Sequence, residues 1–251
     1  MATIIAVANQ KGGVAKTTTV HTLAEALSEL GRRLLMVDLD PQACLTFAAG
    51  IDPDSLDHSI HDVLMGRIEL TDCIVDREGP DLVPSTIDLA GSEVHLLTKT
   101  GREFVLKRAL RDLGRTYDLI LIDCGPSLGI LTVNALTAAD MVLVPFQAET
   151  LSDRGVGQLL DTIDDVRQYT NEDLTVLGGI ATMYDPRTNL GKRVLVELEE
   201  RHGLRVIGPP IPRSVRVAEA PGEGVSVLAH ARSSKAAEAY REVAMSLVGM
   251  L

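Results

Sequence analysis

An α/β fold with a mostly parallel sheet is predicted by three observations. Short apolar, β-rich runs alternate with helical patterns along the chain, as βαβ units require. Several of those runs are almost continuously apolar, which suits strands covered on both faces. The first of them, residues 4–8, leads straight into a glycine-bearing loop with a lysine and threonines, and a helical pattern follows. Strand, loop and helix in that order form the layout that wraps phosphates in backbone N–H groups. The expectation is a three-layer α/β/α unit, a twisted parallel sheet of the P-loop type, spanning residues 1–251 as one domain.

The elements follow in order. Strands are predicted at residues 3–8, 34–38, 81–83, 117–123, 141–146 and 175–183. A helical pattern covers 17–30. Residues 103–113 place Leu106, Ala109/Leu110 and Leu113 on one face, with Gly114 as the expected C-cap. Residues 153–169 repeat Val156, Leu159/Leu160, Ile163 and Val166 at helical spacing, and 189–202 do so with Leu190, Val194, Leu195 and Leu198. Near the C-terminus, Ala237, Tyr240, Val243/Ala244 and Leu247/Val248 make an apolar face opposite Glu238, Arg241, Glu242 and Ser246. Docking onto the core is its expected use, since a membrane-surface helix needs a polar side rich in Lys and Arg.

Composition narrows the function classes. A chain of 251 residues with 45% hydrophobic and 24% charged residues can bury a large core. With no Trp, that core must rest on Leu, Val, Ile and Ala. The first apolar run is broken by Asn9 and Lys11, and the longest uncharged stretch, 124–139, is too short for a bilayer, so neither a signal peptide nor a membrane span is expected. Cys44, Cys73 and Cys124 lie far apart and form no metal-type pair, which fits a reducing cytoplasm. Cys124 reads as a small buried residue after a strand. A net charge of −11 argues against coating nucleic acid with the whole surface, yet residues 187–216 hold seven Lys/Arg against three Glu, a local +4. A basic patch on an acidic body suits weak, position-limited DNA binding.

The loop residues have defined work to do. Lys16 is expected to reach the β/γ-phosphates and the Thr17 hydroxyl to bind Mg²⁺, while Gly12, Gly13, Val14, Ala15 and Thr18 complete the cradle at the helix N-terminus. Gln10 stands where the general pattern has its first Gly. If Ala15 needs left-handed torsions, its Cβ costs about 1–2 kcal/mol. Asp123 closes a buried apolar run, so it is expected at the carboxyl end of a strand, where open α/β sheets bind ligands. There it suits a contact to Mg²⁺ through water. Asp38 either reaches Mg²⁺ through water or supports its loop.

Lys11-Gly12-Gly13-Val14-Ala15-Lys16-Thr17-Thr18 resembles the deviant Walker A motif of the ParA/MinD ATPases, whose mark is the additional lysine, here Lys11. Residues 37–42 resemble that group's first switch, and 117–128 its Walker B strand and second switch. Residues 185–190, 211–216, 219–221 and 239–242 resemble later ParA segments, so the likeness covers nearly the whole chain and points to ParA partition ATPases of the Soj type. The sequence departs from the pattern at Ala15, where Gly is usual, and at Gly125, where proline is common.

The resemblance implies ATP and Mg²⁺ as cofactors and a homodimer closed around two ATP molecules. Lys11 would reach across that interface and neutralise charge developing in phosphoryl transfer. Asp40 would orient the attacking water beside Mg²⁺, and Pro212 and Arg213 would lie against adenine. Arg187 and Arg216 would meet DNA phosphates without reading bases. A ParB-like activator, nonspecific DNA and a nucleoid-associated place in the cytoplasm are implied, with segregation of plasmid or chromosomal DNA as the task. Two alternatives stay open: positioning of a protein cargo such as a microcompartment or chemoreceptor cluster, and MinD-like membrane association. The first strand begins near residue 3, so an N-terminal helix-turn-helix, and with it operator binding, is not expected.

Overall fold

The computed structural model describes residues 2–111, 113, 116–149 and 152–251. Six parallel strands, β1 (Thr3–Val7), β2 (Leu34–Leu39), β3 (Asp81–Val83), β4 (Leu119–Cys124), β5 (Met141–Gln147) and β6 (Thr175–Thr182), lie in the order β3-β2-β4-β1-β5-β6. The strand that feeds the phosphate loop is therefore central, paired with β4 on one side and β5 on the other. Asp38 and Asp123 are register partners across β2 and β4. Two acids thus leave the sheet side by side, at the end where β1 turns into its loop.

The helices are α1 (Lys16–Glu29), α2 (Cys44–Ala48), α3 (Ile60–Met65), α4 (Leu89–Leu96), α5 (Val105–Leu110), α6 (Ile130–Ala138), α7 (Ser152–Tyr169), α8 (Asn189–His202), α9 (Val215–Glu219), α10 (Val227–His230) and α11 (Lys235–Val248). Strand residues feed two cores alternately, as a period of two demands. Leu35, Val37, Ile120, Ile122 and Val142 join one core with Ile60, Leu106, Leu131 and Val156. Leu34, Met36, Leu119 and Leu121 join the other with Leu23 and Leu27 of α1 and Tyr240, Val243 and Leu247 of α11. Each such buried side chain contributes roughly 1.5–3 kcal/mol, and a mainly aliphatic core with Phe146 and Tyr240 holds this sheet.

The expected strands appear within two residues of their observed ends. The strand expected at 175–183 stops at Thr182 because Met183 takes a left-handed φ of 50°. The helix expected at 103–113 is a correction: it opens as a 3-10 turn, Arg102–Phe104, and is α-helical only over Val105–Leu110. Asn134 causes the break. Its side chain accepts from Leu106 N (3.2 Å) and donates to Arg102 O (2.8 Å), replacing the backbone bond that would join those two groups. Gly114, the expected cap, lies outside the described residues. Helix α6 was not expected, because it is buried nearly all round and has no polar face to create a periodic signal.

Candidate nucleotide site

Beyond β1 the chain crosses Asn9, whose side chain donates to Pro145 O (2.8 Å) and accepts from Lys11 N (2.9 Å). This pins the start of the loop to β5. Gly13 (φ 73°) and Ala15 (φ 62°) then take left-handed torsions that wrap the chain before α1 begins. Gly13 does so at little cost; Ala15 pays about 1–2 kcal/mol for its Cβ. Ala15 is also the N-cap of α1, and it offers no side-chain cap. The N–H groups of the first helical turn are thereby left for an anion.

Lys16 is buried, and its ammonium donates to Lys11 O at 3.2 Å. Burial lowers its pKa, offset in part by Asp123 and then by Cys124 and Asp40. Cys124 itself is buried, and burial pushes its thiol well up, as a small core residue requires.

Asp123 is buried, and neither carboxylate oxygen has a hydrogen-bond partner among the described residues. Burial first, and the neighbouring Asp38 second, hold its pKa well above the usual carboxylate range. Thr17 and Lys16 pull it back, the hydroxyl without reaching hydrogen-bond geometry. A bare, desolvated acid beside a lysine and a threonine is costly as structure and well suited to a cation. The donor set fits Mg²⁺, which takes one or two carboxylates and completes its shell with water and phosphate. Accordingly, the described residues form no cluster of three or more His, Cys, Asp or Glu that would hold a metal unaided.

Asp38 is committed differently. Its Oδ2 accepts from Thr46 N (2.8 Å) and the Thr46 hydroxyl (2.7 Å), and its Oδ1 accepts from Asp40 N (3.2 Å). Burial pushes its pKa up to about 6. Thr46 Oγ1 in turn accepts from Ser85 N (2.9 Å), and the Ser85 hydroxyl donates to Asp40 O (2.9 Å). Asp38 therefore anchors the loop that carries Asp40. The Asp40 carboxylate accepts from Gln42 N (3.0 Å) and lies against Gly125, where an added Cβ would stand 3.4 Å from Asp40 Cγ. The loops that follow β2 and β4 meet at that point.

A cavity of about 340 Å³ opens beside the loop, lined by Gly13, Ala15, Thr18, Met183, Pro212 and Arg213 among others. Its size and largely apolar wall suit a nucleoside. Tyr184 N donates to Ile211 O (2.9 Å) and Arg213 N to Tyr184 O (3.1 Å), so the end of β6 holds Pro212 and Arg213 in the wall. Lys11 stands beside the same loop, donating to Gln147 Oε1 (3.2 Å) and Glu149 Oε2 (3.4 Å), and Glu149 Oε1 also lies 3.7 Å from the Arg213 guanidinium. Lys11, Lys16, Thr17, Asp40 and Asp123 are thus gathered around one loop. Arg187 and Arg216 are not part of it. They follow the Tyr184–Pro212 bridge, with side chains 88% and 65% exposed, each paired with a local acid, Asp185 (2.8 Å) and Glu219 (3.3 Å).

Gln147, Met183, Thr46 and Ser85 were not among the expected site residues. Gln147 ends β5, as Asp123 lies near the end of β4, so the strand-end rule had the means to find it. Thr46 and Ser85 meet Asp38 only through the fold and carry no sequence signal.

An anion cradle at the head of α1, served by a desolvated lysine and by a bare acid from the neighbouring strand, makes this molecule a P-loop ATPase. A family model described as an AAA domain matches residues 2–176. The sporulation initiation inhibitor protein Soj of Bacillus subtilis is 43% identical over 97% of both chains. The chromosome-partitioning ATPase Soj of Thermus thermophilus is 45% identical over 96% of this chain and 93% of its own. A crystal structure named as cobyrinic acid a,c-diamide synthase from Mycobacterium smegmatis, with ADP and magnesium, is 51% identical with a TM-score of 0.88, over 99% of this chain and 94% of that one. The chain belongs to the ParA/Soj family of partition ATPases.

Proposed function

We propose that residues 1–251 act as one unit that hydrolyses ATP with Mg²⁺, pairs with a second copy when ATP is bound, and holds DNA without sequence preference in that paired form. Hydrolysis, stimulated by a ParB-like partner, releases the DNA, and the cycle segregates plasmid or chromosomal DNA at the nucleoid in the cytoplasm. The observation that carries this reading is the second loop lysine. Lys16 serves the phosphates of its own cradle, while Lys11 stands beside the loop, partly exposed, held by acceptors at the end of β5. A cation spared in this way suits the triphosphate of a second subunit, where negative charge grows during transfer.

Thr17 and Asp123 would hold Mg²⁺ directly or through water, with Asp40 beside them; the ion would neutralise phosphate charge. Asp40 orients the attacking water, its loop fixed by the Asp38–Thr46–Ser85 bonds. Pro212 and Arg213 face the base. Arg187 and Arg216 neutralise DNA phosphates, and pairing two such patches makes DNA affinity depend on nucleotide through avidity. One observation favours DNA over a membrane as the surface bound: the apolar face of α11 is buried in the core beside α1.

Sedimentation velocity with a non-hydrolysable ATP analogue and Mg²⁺ tests the reading. A dimer with nucleotide and a monomer without it are expected; a monomer at every concentration overturns it. ATP-driven amidation, the activity in the Mycobacterium smegmatis protein's name, fits these residues less well. Drawing ammonia from glutamine calls for a nucleophile such as a thiolate; Cys73 and Cys124 are buried with their thiols pushed up, and the exposed Cys44 is raised by partial burial and then by Asp40 and Asp38.

A further inference from the structure

We propose that Gln147 is a positioning residue that ties occupation of the nucleoside cavity to the placement of Lys11. One amide touches three parts of the site. Its Oε1 accepts from Lys11 Nζ at 3.2 Å, while its Nε2 donates to Gly13 O at 3.3 Å and to Met183 Sδ at 2.7 Å. The orientation of this amide follows from chemistry, because an ammonium only donates and a carbonyl only accepts.

Met183 is the responsive end of this relay. It lines the cavity together with Gly13, and it is one of three non-glycine residues with positive φ among the described residues, the others being Ala15 and Ala43. A side chain held on a strained backbone over an open cavity has a second arrangement within reach. A nucleoside packed against Met183 holds the sulfur on Nε2. The amide is planar, so fixing its nitrogen also fixes the oxygen that holds Lys11, and the ammonium keeps its place between Gln147 and Glu149, 3.4 Å away, for a stronger anion to meet. The base is thereby sensed at the cation. This inference rests on the reading of the cavity as the base site and of Lys11 as a catalytic cation.

Inorganic triphosphate can fill the loop while leaving the cavity empty, so comparing it with ATP isolates the coupling. The wild type is expected to turn over ATP with a higher kcat than triphosphate. Gln147→Ala should lower kcat for ATP by about tenfold to a hundredfold, the scale of a misplaced catalytic group, with KM for ATP changed by less than about twofold. Its triphosphate turnover should fall far less than its ATP turnover, so that the advantage of the base disappears. Gln147→Glu keeps an acceptor for Lys11 but cannot donate to Gly13 or Met183, and should lose the same advantage. An unchanged ratio of ATP to triphosphate turnover in Gln147→Ala overturns the proposal, whether both rates fall together or neither falls.

If wild-type triphosphate turnover lies below detection, dimerisation with a non-hydrolysable ATP analogue gives the answer. Gln147→Ala should then need about tenfold more protein for half-dimerisation, at unchanged nucleotide affinity, and wild-type dimerisation in that variant overturns the proposal. Lys11→Ala separates the two levels of inference. Intact ATP turnover in that variant sinks the parent reading. Lost turnover there, alongside an unaltered ratio in Gln147→Ala, sinks only the coupling.

Discussion

Ala15 carries a methyl group into torsions that glycine adopts freely, at the point where the loop wraps. Ala15→Gly is expected to raise the unfolding free energy by about 1 kcal/mol, the strain relieved less the added freedom of the unfolded chain. Urea denaturation of the nucleotide-free protein checks this; a loss of stability would mean that the strain is absent. Asp40→Ala should keep ATP affinity and lose hydrolysis by at least about a hundredfold, since the loop stays anchored through Asp38 while the water loses its acceptor. Undiminished single-turnover hydrolysis contradicts that role. His21 offers a pH test away from the site. It is buried with Nε2 unpartnered among the described residues, and burial, helped by Arg77, lowers its pKa to about 4 from 6.5. Above pH 6.5 both folded and unfolded forms are neutral, and the full stability is present. As pH falls from 6.5 to 4 the unfolded chain takes up a proton that the folded one refuses, so stability is lost by about 3 kcal/mol. His21→Leu should flatten the stability profile in that window, and an unchanged slope refutes the assignment. At this scale the sequence was informative where chemistry is local. Lys16, Thr17 and the loop glycines lie within residues 12–17, and Asp123 is marked by the apolar run before it. Asp38 left two roles open because its partners, Thr46 N and Oγ1, reach it only when α2 folds back.

Among the elements, the pairing of α1 with α11 has the greatest bearing on the site. Tyr240 is wholly buried in α11, and its hydroxyl lies 3.3 Å from Thr19 Oγ1, one turn after the phosphate loop. Tyr240→Phe leaves the Thr19 hydroxyl buried with its partner removed, and is expected to cost about 1–2 kcal/mol by urea denaturation. A neutral result would mean that Thr19 finds another acceptor. The apolar face of α11 was legible because its spacing persists over three turns. The interior of the 103–113 segment was not, because a single side chain, Asn134, arrives from α6 and takes over its backbone bonds. Helix α6 itself, buried on nearly every side, shows how burial on all faces erases the periodicity that marks a helix at a surface.

For the whole molecule, the distribution of charge is the feature with the clearest test. The net charge is −11, yet Arg187 and Arg216 stand exposed beyond the joined ends of β6 and residues 211–213. The double variant Arg187→Glu and Arg216→Glu should abolish retention of arbitrary duplexes on a filter while leaving ATP-dependent dimerisation intact. Wild-type retention should fall steeply as salt rises from 50 to 200 mM, in keeping with counterion release. Unchanged retention in the variant places the DNA surface elsewhere. That two arginine segments leave the fold side by side could not be read from the sequence, because the bridge between Tyr184 and Pro212 joins stretches separated by a full helix, α8.

The contact between Thr19 and Tyr240 also bears on how the protein is made. These residues are 221 positions apart, and β1 completes its neighbours only when β4 and β5 have been synthesised. At roughly 5–20 residues per second, a ribosome exposes the phosphate loop roughly 10–45 s before the helix that braces it emerges. The phosphate loop is thus translated well before its brace, and α1 gains the Thr19–Tyr240 contact only once α11 has emerged and docked.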